Sequence, residues 1–242
     1  MNDTAHRIAE DLAARLRVHA CEANRIGMSN YFTTGMRFLG VKMPFLRTEV
    51  RKTAAQSKAE GGETLFAAAL ELAGSGVFED RIAAYELLSR HKAAFRLLDR
   101  KRLERVGKGN DNWACVDTLA CLLSGPRWLK GELADADIRA WLRSDDVWWR
   151  RTAIVSTTAL NKKTKGGKGD FDRTVAVVTP VLHERHPMIV KAVSWALRSL
   201  VDWEPQRLRE YVAEHEAELA SLARRELRTK LDTGRKNPRR GG

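Results

Sequence analysis

Between Thr4 and Leu231 the chain keeps one pattern: apolar side chains three or four positions apart, in short runs separated by brief polar breaks. A helix turns about 100° per residue, so this spacing gathers apolar groups into one stripe. Ile8, Leu12, Leu16 and Ala20 form such a stripe in a helix predicted over 4–25. A second, short helix is predicted to include Tyr31 and Phe32 and to end near Gly40. A third is opened by Pro44, whose fixed φ suits a first helical turn. Further helices are expected over 63–73, 79–91, 98–107, 111–124, 135–143, 146–160, 172–184, 187–201, 206–214 and 216–231. Alternating β-branched and polar residues are rare, with 175–178 the nearest approach, and only 6 prolines interrupt the chain. The pattern points to an all-α fold.

A weaker repeat underlies the helices. Ala83, Ala114, Ala153 and Ala192 take similar places in similar helices, at spacings of 31, 39 and 39 residues. Helix pairs at such a period suggest HEAT-like or armadillo-like stacking; an irregular helical bundle is the other reading. The expected architecture is a right-handed solenoid of HEAT-like helical repeats with a concave basic face. One such domain is expected over 1–232, followed by a basic tail, 233–242, expected to be disordered.

The chain carries 43 Lys and Arg against 31 Asp and Glu, a net charge of +12. An excess of this size attracts polyanions, because phosphate neutralisation dominates non-specific nucleic-acid affinity. General basicity of a proteome would give the same total, so the placement of the charge must decide. Residues 161–169, Asn-Lys-Lys-Thr-Lys-Gly-Gly-Lys-Gly, put four lysines on a glycine-rich connection, and Lys162, Lys163 and Lys165 are candidate phosphate contacts. Three cysteines without CxxC spacing argue against a disulfide framework or a cysteine zinc site. Cys115 and Cys121 are expected in one helix, as core or near-core residues. His183 and His186 lack a third ligand nearby and are read as residues at a helix C-terminus, so no metal or cofactor is expected. The charged N-terminus lacks an apolar leader core, and no apolar run is long enough to span a bilayer. A cytoplasmic location, a monomer and no membrane partner are expected.

Three positions fit neither core nor ordinary surface. In the helix from Asp111, Val116, Ala120 and Leu123 form the core side, while Trp113 and Asp117, four apart, are neighbours on its flank. Asp117 lies too far into the helix to cap it, so it is half of an ion pair or a functional group. In the helix from Asp146, Arg151 sits inside an apolar stripe. It must pair within the fold or emerge to grip a phosphate. In the helix from Pro187, Trp195 lies off the stripe with Lys191 and Arg198 as helical neighbours. It faces a polyanion, with Lys191 and Arg198 as candidate DNA contacts beside it, or packs on the next helix.

With these residues in view, the sequence resembles the AlkD-like DNA alkylation repair glycosylases. Tyr31 with Met36-Arg37-Phe38-Leu39-Gly40-Val41 and Pro44 is similar to that family's N-terminal signature. Asn112-Trp113-Ala114-Cys115-Val116-Asp117 is similar to its catalytic helix. Asp146-Val147-Trp148-Trp149-Arg150-Arg151-Thr152-Ala153-Ile154 resembles the helix with a backbone-gripping arginine, and Lys191-Ala192-Val193-Ser194-Trp195-Ala196-Leu197-Arg198 the helix with the second tryptophan. The blocks run in family order over about residues 28–200. One departure stands out: the family commonly reads Trp-Trp-Asp where this chain has Asn112, Trp113 and Ala114.

The resemblance implies double-stranded DNA containing alkylated bases as partner and substrate, and Asp117 as the catalytic carboxylate. It implies Trp113 and Trp195 beside the lesion's deoxyribose, Arg151 on the phosphate backbone and Tyr31 near the same surface. A purine alkylated at N3 or N7 is already cationic and leaves without a general acid, so a carboxylate need only stabilise the oxocarbenium-like sugar. The family is associated with excision that does not flip the base into a pocket, unlike most glycosylases. Two other readings keep the same helices: a non-catalytic protein that recognises distorted duplex by shape, and a protein–protein scaffold, which leaves the charge, Arg151 and Trp195 unexplained.

Overall fold

The computed structural model describes residues 3–236, and every regular element among them is helical. The all-α expectation holds. One isolated bridge, Arg37 to Val77, is the sole β-type pairing among the described residues. Of the tail expected over 233–242, positions 237–242 lie outside the described residues. The chain divides into two compact units, Met1–Leu123 and Ser124–Gly242.

The first unit contains α1 (Asp3–Val18), α2 (Glu22–Tyr31), α3 (Met43–Gln56), α4 (Gly62–Gly74), α5 (Phe78–Arg90), α6 (Lys92–Arg96), α7 (Arg100–Gly107) and α8 (Trp113–Leu119). Helix α5 is its axis, packed by α3, α4, α6 and α8. Every residue of α5 from Phe78 to Leu88 is buried, four charged ones included. Buried charge is tolerated only when satisfied. Glu86 accepts from Arg47 at 2.9 Å and Arg90 at 2.8 Å, and Asp80 accepts from Arg17 at 3.2 Å. Arg81 donates to the Lys108 carbonyl at 2.9 Å and to Asn110 Oδ1 at 3.1 Å, fixing the loop that leads into α8. Glu79 accepts the backbone amides of Leu39, Gly40 and Val41 at 2.9, 2.7 and 3.1 Å.

Two sequence expectations fail here. The helix predicted over 4–25 is two helices, because the Cys21 amide leaves the helical ladder and donates to the Leu39 carbonyl at 3.0 Å. The helix predicted to end near Gly40 stops at Tyr31, and 32–42 run without regular structure apart from the bridge at Arg37. Gly40 has φ +78°, and a Cβ there would lie 2.2 Å from the Cys21 carbonyl oxygen. Only glycine permits that crossing.

Helix α8 runs on into a π-helical segment, Ala120–Ser124, whose last residue opens the second unit. There follow α9 (Gly125–Leu129), α10 (Asp135–Leu142), α11 (Val147–Asn161), α12 (Phe171–Val178), α13 (Pro187–Arg198), α14 (Pro205–Glu214) and α15 (Ser221–Thr233). Helix α11 holds the place that α5 holds in the first unit: α9, α10, α12 and α13 pack on it, and all of Arg151 to Asn161 is buried. The helix predicted over 172–184 ends at Val178 in a 3₁₀ turn containing Pro180, so His183 and His186 lie beyond it. His186 instead caps α13, its Nδ1 accepting the Met188 amide at 3.2 Å. Of the recurring alanines, Ala83, Ala153 and Ala192 are fully buried and Ala114 is half-buried.

Candidate functional site

In the first unit the site is built around the start of α8. Asn112 is its N-cap: Oδ1 accepts the Cys115 amide at 3.0 Å, and Nδ2 donates to Asp111 Oδ1 at 3.1 Å. Asp111 in turn accepts from the Thr34 hydroxyl at 2.5 Å and the Gly35 amide at 2.7 Å. Burial pushes the Asp111 carboxyl up, but the hydrogen bonds from Thr34, Gly35 and Asn112 outweigh it and hold it below its usual range. Two carboxylates therefore pin the irregular strip after α2, Asp111 at residues 34–35 and Glu79 at residues 39–41.

Pinning the strip seats an aromatic cluster on α8. Phe32 stacks on Trp113 with centroids 5.3 Å apart and packs on Phe38 at 5.8 Å and Phe78 at 5.4 Å. Tyr31 meets Trp113 edge-on at 6.2 Å and remains 71% exposed. Offset and edge-on pairs of this kind each contribute about 0.5–1.5 kcal/mol beyond area burial. Trp113 is thereby fixed yet keeps partial exposure, and Asp117, one turn along α8, is also half-buried. A carboxylate beside a fixed, accessible indole can stabilise a cation approaching from solvent.

The second unit holds the other candidates. Arg151 is 5% exposed and donates to the Met188 carbonyl at 2.5 Å, joining α11 to the first turn of α13. The guanidinium that the resemblance implies on the phosphate backbone thus has a backbone carbonyl as one of its partners within the fold. Arg198, expected to contact DNA, is also withdrawn. It donates to the Ser194 hydroxyl at 3.1 Å and approaches Glu226 at 3.5 Å, with its side chain 13% exposed. Burial lowers the Arg198 pKa, against the opposing pull of Glu226. Lys191 is exposed on α13, and Trp195, one turn on, is half-buried. Lys162, Lys163 and Lys165 are all exposed, with the Lys163 ammonium 5.0 Å from the Trp203 ring centroid.

The sequence from 12 to 231 matches the family model described as DNA alkylation repair enzyme. The chain belongs to that family. No curated protein was found to match it. Membership is consistent with an AlkD-like DNA alkylation repair protein and carries with it a role in repair of alkylation damage and DNA as substrate. The match takes in Trp113, Asp117, Arg151, Lys191 and Trp195 of this DNA alkylation repair enzyme. Among the described residues, no group of three or more His, Cys, Asp or Glu side chains could hold a metal ion. No helix among them is long and apolar enough to cross a membrane.

Several site residues carry little signal in the sequence. Phe32 follows Tyr31 in a stretch whose spacing predicts helix, whereas it stands in the irregular strip beyond α2. Phe78 and Glu79 reach the site across long stretches of chain, and Asp111, next to α8, finds its partners at the distant Thr34 and Gly35; periodicity carries no signal for such pairings. Asn112 offered one: an Asn just before an apolar run is a common N-cap.

Proposed function

We propose that this protein is a monofunctional DNA glycosylase, built of HEAT-like helix pairs, that excises cationic alkylated purines from duplex DNA. The 3-methyladenine and 7-methylguanine types are its substrates, and no metal, cofactor or base-flipping pocket takes part. One observation carries the reading: Trp113, seated by Phe32 and Tyr31, and Asp117 stand one turn apart on α8, both accessible in part. Asp117 stabilises positive charge on the deoxyribose as the C1′–N bond breaks and its electron pair returns to the purine. Water then adds at C1′ and loses its proton, and the face of Trp113 supports the same cation. Lys191 and Trp195 on α13 are proposed as DNA contacts of the second unit, with Lys162, Lys163 and Lys165. Arg151 is better suited, by its bond to the Met188 carbonyl, to holding α13 in place than to touching a phosphate.

The test is release of methylated purines from alkylated duplex, wild type beside Asp117→Asn. The expected result is release by the wild type and a loss of about a hundredfold or more in the variant. Release by neither protein, with tight and salt-sensitive binding, would make the chain a reader of DNA shape and remove Asp117 from any chemistry.

A further inference from the structure

We infer that the loop after α11, residues 162–169, is a preformed phosphate grip for the backbone of duplex DNA, and that Asn161 and Trp203 set its shape. This rests on the DNA reading above, though not on the glycosylase chemistry. It adds Lys168 as a contact and assigns positioning roles to two residues.

The loop's charge is uncompensated. Residues 162–169 hold four lysines and no acid, and all four lysines are exposed. The carboxylates next in sequence to the loop and to Trp203 are already engaged. Asp170 pairs with Arg173 at 2.6 Å, Asp172 with Arg207, Glu204 with Arg207 at 3.3 Å and Asp202 with Lys230 at 3.5 Å. Among the described residues, no carboxylate pairs with Lys162, Lys163, Lys165 or Lys168.

A lysine- and glycine-rich stretch is ordinarily floppy, but this one is held from three sides. The Lys162 carbonyl accepts the amides of Lys165 at 2.9 Å and Gly167 at 3.1 Å, and the Leu160 carbonyl accepts that of Gly169 at 3.2 Å. Asn161, itself 5% exposed, accepts the Asp170 amide at 2.8 Å and donates to the hydroxyls of Thr174 and Ser199, each at 3.0 Å. The loop's ends are thereby tied to α12 and to the end of α13. Trp203 donates from Nε1 to the Asn161 carbonyl at 2.8 Å and lays its ring under the Lys163 ammonium. Gly167 is buried, and a Cβ there would lie 2.5 Å from the carbonyl oxygens of Ala159 and Leu160. The backbone passes too closely for any other residue. Lysines fixed before binding lose less freedom on meeting phosphates than lysines on a mobile arm, and each neutralised phosphate releases counterions.

The experiment is binding of an unmodified labelled duplex by anisotropy, across salt from about 50 mM to about 200 mM. Wild type is compared with a triple variant, Lys162→Ser with Lys165→Ser and Lys168→Ser, whose changes are all at exposed positions. The expected slope of log affinity against log salt falls by about 0.9 per lost contact, hence by two to three units in the triple variant. A wild-type slope in that variant overturns the loop as a phosphate contact. Gly167→Ala keeps every lysine and displaces the backbone; Trp203→Phe keeps an aromatic side chain but removes the bond to Asn161 and trims the ring that lies under Lys163. Weakened binding by both supports the preformed shape, whereas wild-type binding by both, with the triple variant impaired, overturns it. A wild type that shows no salt-dependent duplex binding overturns the DNA reading itself, a result distinct from the other two.

Discussion

Removing the Asn112 side chain isolates what the N-cap of α8 contributes. Asn112 is 2% exposed, and its amide group does two jobs: Oδ1 takes the Cys115 amide and Nδ2 donates to the Asp111 carboxylate. Asn112→Ala deletes a cap worth about 1 kcal/mol and a hydrogen bond to a charged acceptor worth about 1.5 kcal/mol. The total is about 2.5 kcal/mol, and at about 2–4 °C per kcal/mol for a chain of this size the melting temperature falls by roughly 5–10 °C. Asn112→Ser keeps an oxygen for the Cys115 amide but does not reach Asp111, so about half the loss should return. Calorimetry reads the melting temperatures, and hydrogen exchange at the Cys115 amide reads the cap directly. Because α8 carries Trp113 and Asp117, base release should fall with Asn112→Ala and recover in part with Asn112→Ser. An alanine variant within about 0.5 kcal/mol of wild type, with the Cys115 amide still protected, would refute the capping argument. It would leave Asn112, where AlkD-like relatives commonly carry tryptophan, without a structural reason.

Two further expectations follow from the same helix. Asp111 titrates below its usual range in the folded chain, so it adds stability above an unfolded Asp pKa of about 3.9 and that stability is lost as pH falls through the depressed value. Asp111→Asn should therefore flatten the acid limb of a stability-against-pH curve; an unchanged limb would contradict the Thr34 and Gly35 bonds. Burial pushes the Cys115 thiol up to about 12, leaving almost no thiolate at neutral pH, while Cys21 is exposed. Iodoacetamide followed by mass spectrometry should label Cys21 in the native protein and Cys115 only after denaturation. Equal labelling would show that α8 is not packed as described.

What the sequence made legible follows the reach of each physical signal. Helix class and most helix positions came through because amphipathic spacing is local, and Asp146 ahead of α11 marked its start well. The break between α1 and α2 was invisible, because the Cys21 amide finds its acceptor at Leu39, outside the helix. The short helices α6 and α9 escaped for a simpler reason: five residues each are too few to show a period. At the site, Trp113 and Asp117 were legible as i and i+4 neighbours off the apolar stripe. Arg151 was legible as an anomaly, but one of its acceptors is a backbone carbonyl at Met188, which no side-chain pattern records. Arg198 looked free because Glu226 lies on another helix.

The strip that seats Tyr31 and Phe32 borrows its conformation from residues far along the chain: Asp111 lies 77 positions beyond Thr34 and 76 beyond Gly35. During synthesis, then, the first three helices leave the ribosome with their platform unassembled. Phe32 has no indole to stack on and Gly35 no carboxylate to meet until the polypeptide has grown past Trp113. The aromatic platform on α8 thus comes into being late, once α5 and the loop before α8 have both been made. Premature termination before Asp111 would leave an aromatic-rich fragment with sticky rings exposed, a species suited to capture by chaperones rather than to work on DNA.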